Sequence, residues 1–251
     1  MRAPAQPQPT SLQRVALLTG LLYLVIAVFG MFAPMVLDSV LVTGDASATA
    51  KNVADSLGLF RLSLVAWLVI VEADVAVSVT LFMLFDNIGR TVAAISAAFR
   101  LAYTAILGAL LINGFDAYSL LTTAGAGSAG RESAALAALE TFSGGFQVAL
   151  AFFGVHIAML GYLLYRSGHA PRALAYVLAI AGPGYIINTL AYFFVSGWGE
   201  TESMVALAPA LIGEVGLTAW LLVRGLRAWP QPQSERPAAV AFHGATIAEV
   251  H

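Results

Sequence analysis

Apolar residues run along this chain in long blocks, and the polar positions fall mostly between the blocks. A membrane-spanning helix needs about 20 mostly apolar residues. Six blocks meet that length, at about 15–36, 60–85, 91–112, 146–165, 173–195 and 204–223. The first is too long for the apolar core of a signal peptide, and no small-x-small cleavage site follows "MFAPMVLDSV". It therefore reads as a retained helix. Two connections carry helical spacing of their own. Ala46, Ala50, Val53, Leu57 and Phe60 recur at one-turn intervals, which predicts a helix over 46–58 lying on the outer surface. Lys51 and Asp55 form an i, i+4 pair on its other face. In "AGAGSAGRESAALAALETFSGG" a Gly/Ala loop leads into a second interfacial helix over 131–143, with Gly144-Gly145 as its break before the fourth span.

Composition agrees with this pattern. Hydrophobic residues make up 59% of the chain and charged residues 10%, against roughly 45–50% and 25% in soluble domains. A net charge of -2 gives no basic face for nucleic acid. The absence of cysteine rules out disulfides, thiolate nucleophiles and cysteine metal sites. Arg2, Arg14, Arg90, Arg166, Arg172, Arg224, Arg227 and Arg236 fall on one side of alternating spans, and Lys51 and Arg131 on the other. This bias predicts both termini in the cytoplasm. The expected architecture is all-α: a six-transmembrane-helix bundle with two short outer interfacial helices, multi-pass in the cell (cytoplasmic) membrane. The bundle should occupy 14–227, between disordered tails at 1–13 and 228–251.

Ionisable residues inside the spans are the candidates for chemistry. Counted at about 1.5 Å per residue from the inner ends, Glu72, Asp74, Arg100, His156 and Glu214 all lie roughly 14–20 Å deep. Asn188 lies slightly further out. Such groups face a bundle interior and pair, either as a site or as a packing device that sets helix register. Asp74 shares its helix face with Ser63, Trp67 and Ser78, which makes it the expected partner of Arg100. Glu72 lies about 200° around the helix from Asp74 and is expected to face another helix or a side pocket. Three carboxyls against one permanent cation, Arg100, predict that at least one is protonated or balanced by water, a cation or a cationic ligand. Arg61 is about 16 Å nearer the outer surface than Glu72, too far for contact, and is expected to snorkel to the interface.

Other chemistries lack their residues. His156 is the one histidine in a span, short of a zinc or bis-imidazole haem site. The single lysine, Lys51, lies in a loop, so no buried amine can form a Schiff base. Neither a G-x-S-x-G nor a phosphate-loop signature is present. No cofactor and no metal are expected.

With these residues in view, the chain resembles a family of bacterial multi-pass membrane proteins known only as domain of unknown function 4386. The resemblance covers roughly 12–227. It is carried by "GDASATAKNVADSLGLFRL", "AAFRLAYTAILG", "FFGVHIAMLGYLLYRSGHAPRALA", "AGPGYIINTLAYFF" and "GEVGLTAWLLVRG". The family pattern often has an acid where Asp74 stands. It often has a second polar or histidine residue where this chain has Phe142, a departure that argues against a metal. The resemblance implies the fold and the polar layer, and no activity. The expected partners are the lipid bilayer and a small solute or proton, bound or transported through the cluster. One alternative is an interaction or regulatory protein whose cluster only sets packing. Another is an intramembrane enzyme with Glu72 or His156 as general base, which lacks a recognisable nucleophile or metal set.

Overall fold

The computed structural model describes residues 11–123 and 127–226. Among the described residues six helices follow one another: α1 (Ser11–Val40), α2 (Ala46–Asp55), α3 (Leu57–Thr122), α4 (Ala129–Ser167), α5 (Arg172–Phe194) and α6 (Glu200–Leu226). No strand occurs among the described residues. Five of the helices are long and apolar enough to cross a membrane. The 66-residue α3 folds back on itself at Gly89, the one residue inside it with non-helical backbone angles. Ser78 Oγ donates to the Ala97 carbonyl at 2.9 Å. A Cβ on Gly114 would reach Leu64, and one on Gly108 would reach Val71. Both contacts pair residues on either side of Gly89, so α3 is an antiparallel hairpin. It supplies the second and third apolar rods of the expected bundle.

The rods pack closely because small residues meet. A Cβ on Gly154 would stand 2.6 Å from the Gly182 carbonyl, and one on Gly161 2.6 Å from the Ala179 nitrogen. Helices α4 and α5 thus touch backbone to backbone. Helices α1 and α6 do the same at Gly225, where a Cβ would lie 2.5 Å from Leu17. In lipid, where apolar burial drives helices together only weakly, such close approach is a main source of association.

Several expectations need correction here. Residues 131–143 are not a separate interfacial helix: α4 runs unbroken from Ala129 through Gly144-Gly145 to Ser167. Gly145 does not break the helix. It admits Leu110, whose side chain lies 2.3 Å from where a Cβ would stand. Helix α2 ends at Asp55 rather than 58, because Ser56 leaves helical geometry and α3 starts at Leu57. Helix α1 begins at Ser11, so the end of the expected tail 1–13 is helical. The rest of that tail, and 228–251, lie outside the described residues.

The expected apolar face of α2 is present, with Val53 fully buried and Phe60 nearly so. Lys51 and Asp55 pair at 2.7 Å on the exposed side. That carboxylate, accepting from the ammonium, raises Lys51 above the ordinary lysine range. Asp45 caps α2 by accepting from the Ala48 amide at 2.9 Å, while Glu140 accepts from the Gly44 amide at 2.9 Å and ties the turn to α4. Removing the cap with Asp45→Ala should cost roughly 1 kcal/mol. A thermal melt in detergent should show a small loss, with the helices behind α2 intact.

Candidate functional site: a buried Asp–Arg–His cluster

Arg100 is the centre of the bundle's polar interior. It points from the second arm of α3 and has no exposed surface; Asp74 and His156 are each 1% exposed. The guanidinium Nη2 donates to the Asp74 carboxylate on the facing arm. Its Nη1 donates to the Tyr23 hydroxyl on α1 at 2.8 Å and to His156 Nε2 on α4 at 3.1 Å. The rings of Tyr23 and Phe153 lie 4.9 and 5.3 Å from its carbon. They cover the cation where no hydrogen bond reaches. Three helices, α1, α3 and α4, are joined through this one side chain.

The histidine is fixed by the same geometry. A guanidinium only donates, so Nε2 of His156 accepts. That places the ring proton on Nδ1, an assignment made from the network. Nδ1 lies 3.0 Å from the Ser96 carbonyl and 2.9 Å from the Ser96 hydroxyl. The hydroxyl is left to donate to the His156 carbonyl, at 3.3 Å. Ser96 lies one turn before Arg100 on the same face, so a single arm of α3 holds both ends of the imidazole.

The expected layer comes together only in part. Asp74, Arg100 and His156 are in direct contact, and the Asp74–Arg100 pairing is as expected. Glu214 takes a different partner: Tyr185 of α5 donates to it at 2.6 Å, within electrostatic range of Arg100 and Asp74. Asn188 belongs to a second group. Trp198 Nε1 donates to its carbonyl oxygen at 3.1 Å and also meets Ser203 at 3.1 Å. Gln147 accepts from Asn188 at 3.4 Å, and its backbone carbonyl accepts from Thr189 at 2.7 Å.

Glu72 contradicts its expectation. It is exposed on the outer wall of the bundle, among exposed Val65, Leu68, Val75 and Val79. The rotation of about 200° between it and Asp74 turns it away from the interior, and among the described residues no helix covers that wall. The interior layer therefore contains two of the three expected carboxyls. Arg61 is exposed near the start of α3, 5.3 Å from the Tyr118 ring.

Tyr23, Ser96, Phe153 and Tyr185 were missed by sequence reasoning. Tyrosine and phenylalanine count as apolar in a span, and nothing in α1 alone says that Tyr23 meets a cation. Ser96 was findable from its i, i+4 relation to Arg100. Phe142, where the family pattern often has a polar residue, is buried edge-on against Trp67 at 5.2 Å. Among the described residues no three His, Asp or Glu side chains converge as metal ligands.

Comparison with known proteins adds the lineage of this arrangement. The family model described as a domain of unknown function (DUF4386) matches residues 18–225, which contain every residue of the cluster. An Archaeoglobus fulgidus protein described as uncharacterized is 29% identical over 163 residues, covering 65% of this chain and 83% of the relative. No solved structure matches the chain.

Proposed function

The chain belongs to the DUF4386 family, and from the geometry of its buried cluster we propose that it is a membrane protein that binds and passes a small ion, the proton. The observation that carries this reading is an incomplete balance. Arg100 is committed to Asp74, so Glu214 has a tyrosine hydroxyl as its direct partner. Meanwhile Arg100 Nε is buried and finds no acceptor among the described residues. Uncompensated charge at mid-membrane costs at least about 2.5–3.5 kcal/mol. A device needed only for packing would be served as well by apolar side chains of similar volume. Two carboxyl groups that can exchange protons, Asp74 and Glu214, stand near the cation, Asp74 bonded to it and Glu214 within its electrostatic reach.

The orientation and the membrane belong to the same proposal. Arg14, Arg90, Arg166, Arg172 and Arg224 gather at the end of the bundle that contains Gly89. That placement supports both termini on the cytoplasmic side of the cell membrane.

A second reading has its own support. The cavity that touches the cluster at Ser96 and His156 has room for about one water, about 10 Å3. A network with so little space beside it suits a packing device inside an interaction or regulatory protein. The two readings separate on Glu214→Gln, which keeps an acceptor for Tyr185. Reconstituted in vesicles carrying a pH-sensitive dye, the wild type should dissipate an imposed proton gradient. Glu214→Gln should leak no faster than protein-free vesicles. Equal rates for variant and wild type would remove Glu214 from the path and favour the packing reading.

A further inference from the structure

The cavity beside His156 lies on one side of the cluster only. It is bounded by Ser96 and His156 at one end, by Phe82, Phe85 and Ala93 towards Gly89, and by leucines of α4 along its wall. Its volume of about 10 Å3 is close to the roughly 10–15 Å3 that a single water needs. Both imidazole nitrogens are already bonded, and the Ser96 hydroxyl, which donates to the His156 carbonyl, keeps lone-pair capacity to accept from that water. Its depth follows from the hairpin. Ser78 and Ala97 are level, and the cavity continues from there to Phe85 and Ala93, about 6–10 Å nearer the turn.

The next residue after Phe85 is Asp86, one turn beyond Phe82. It is half-buried. One of its carboxylate oxygens is enclosed by protein and has no hydrogen-bond partner among the described residues. An enclosed acceptor without a donor is costly, by roughly 1–3 kcal/mol, and is rarely left so in a finished interior. Arg90, one turn further on, is exposed and makes no ion pair with it. The water-sized space thus meets the Ser96–His156 end of the cluster on one side and Phe82, Phe85 and Ala93 on the other, in a groove formed by the two arms of α3 and by α4, and Asp86 follows Phe85 just beyond it towards Gly89.

We propose that this groove is a water inlet, which admits water and small cations from the Gly89 end of the bundle to the His156 face of the cluster, with Asp86 as the cation-attracting group at its mouth. It deepens the proton reading, because a buried site that exchanges protons needs contact with water on at least one side. It is nonetheless drawn from different residues. No group on the other side of the cluster lines this space. There Trp198, Asn188 and Ser203 are bonded to one another.

The cysteine-free chain permits a direct test. Single-cysteine variants Ala93→Cys and Ala97→Cys place a thiol on the two ends of the cavity. Ala149→Cys places one at a fully buried position away from it. Silver ion, close to water in size, is added to the protein in vesicles, and thiols left unreacted are counted with a fluorescent maleimide after denaturation. Ala93→Cys and Ala97→Cys should react faster than Ala149→Cys by about an order of magnitude or more, since the last needs the bundle to open. Adding Asp86→Asn to Ala93→Cys should slow the silver reaction several-fold by removing the attracting charge. Reaction at Ala93→Cys and Ala97→Cys no faster than at Ala149→Cys would overturn the inlet. Fast reaction unaffected by Asp86→Asn would overturn the role of Asp86. Because silver access is read without any proton flux, an open inlet in a protein that passes no protons would keep this inference and end the transport reading. Flux with an inaccessible groove would do the reverse.

Discussion

Replacing Arg100 by methionine should destabilise the protein by roughly 3–5 kcal/mol, because it leaves the Asp74 carboxylate buried without its cation. Removing the carboxylate instead, with Asp74→Leu, should cost a comparable amount, since the guanidinium has no exposed surface through which to reach water. The two losses should not add. In the double variant neither charge is left behind, and apolar side chains of similar size fill the space. The double variant should therefore lie several kcal/mol above the sum of the singles, and near the wild type. Part of the loss remains, because Tyr23 and His156 Nε2 also lose their donor. Thermal unfolding in one detergent, across all four proteins, measures this coupling. Additive losses would mean that the two residues do not act as a pair.

The second large effect concerns a residue with no side chain. Gly154→Val should destabilise the protein by about 1–3 kcal/mol or more, the usual cost of overpacking. A Cβ at this position would meet the Gly182 carbonyl at 2.6 Å and Tyr185 Cβ at 2.8 Å. Neither obstacle is the flexible end of a side chain, so the helices must move apart. The displacement would also be felt at the cluster, because Phe153 and His156 flank Gly154 on α4 and Tyr185 holds Glu214 from α5. Gly30 gives the contrast, as a Cβ there meets nothing within 4 Å. Gly30→Ala should be neutral or stabilising, by up to about 1 kcal/mol, through helix propensity alone. A melt in which the two glycines respond alike would contradict the close α4–α5 contact.

Much of this molecule was legible in its sequence, for a physical reason. Lipid leaves a backbone few options, so a block of about 20 apolar residues is already a helix in space. The blocks at 60–85 and 91–112 became the arms of α3, and the short polar "DNIGR" between them became its turn. Depth was legible too, because helix rise is constant, and it brought Asp74 and Arg100 to one level. What a single helix cannot show is which of its faces a neighbour covers. Asp74 and Glu72 are two residues apart and equally costly, yet one is at the centre of the bundle and the other on its wall. The same gap hid Tyr23, whose role exists only because α1 packs against the hairpin. Gly145 was read from its backbone freedom as a break, whereas its place is set by Leu110 of another helix. Contacts between helices decided each of these cases, and a periodic pattern along one chain does not record them.

The proposed function makes the buried cluster a working site rather than a packing device. The variant that separates the two is Asp74→Leu with Arg100→Met, because it is expected to fold. The measurement is proton flux in vesicles containing equal amounts of folded wild type or double variant. The wild type should collapse an imposed pH gradient, while the double variant should hold it as well as protein-free vesicles do. A folded double variant that passes protons as fast as the wild type would contradict a working role for the cluster, and Asp74 and Arg100 would then serve only to hold the helices together.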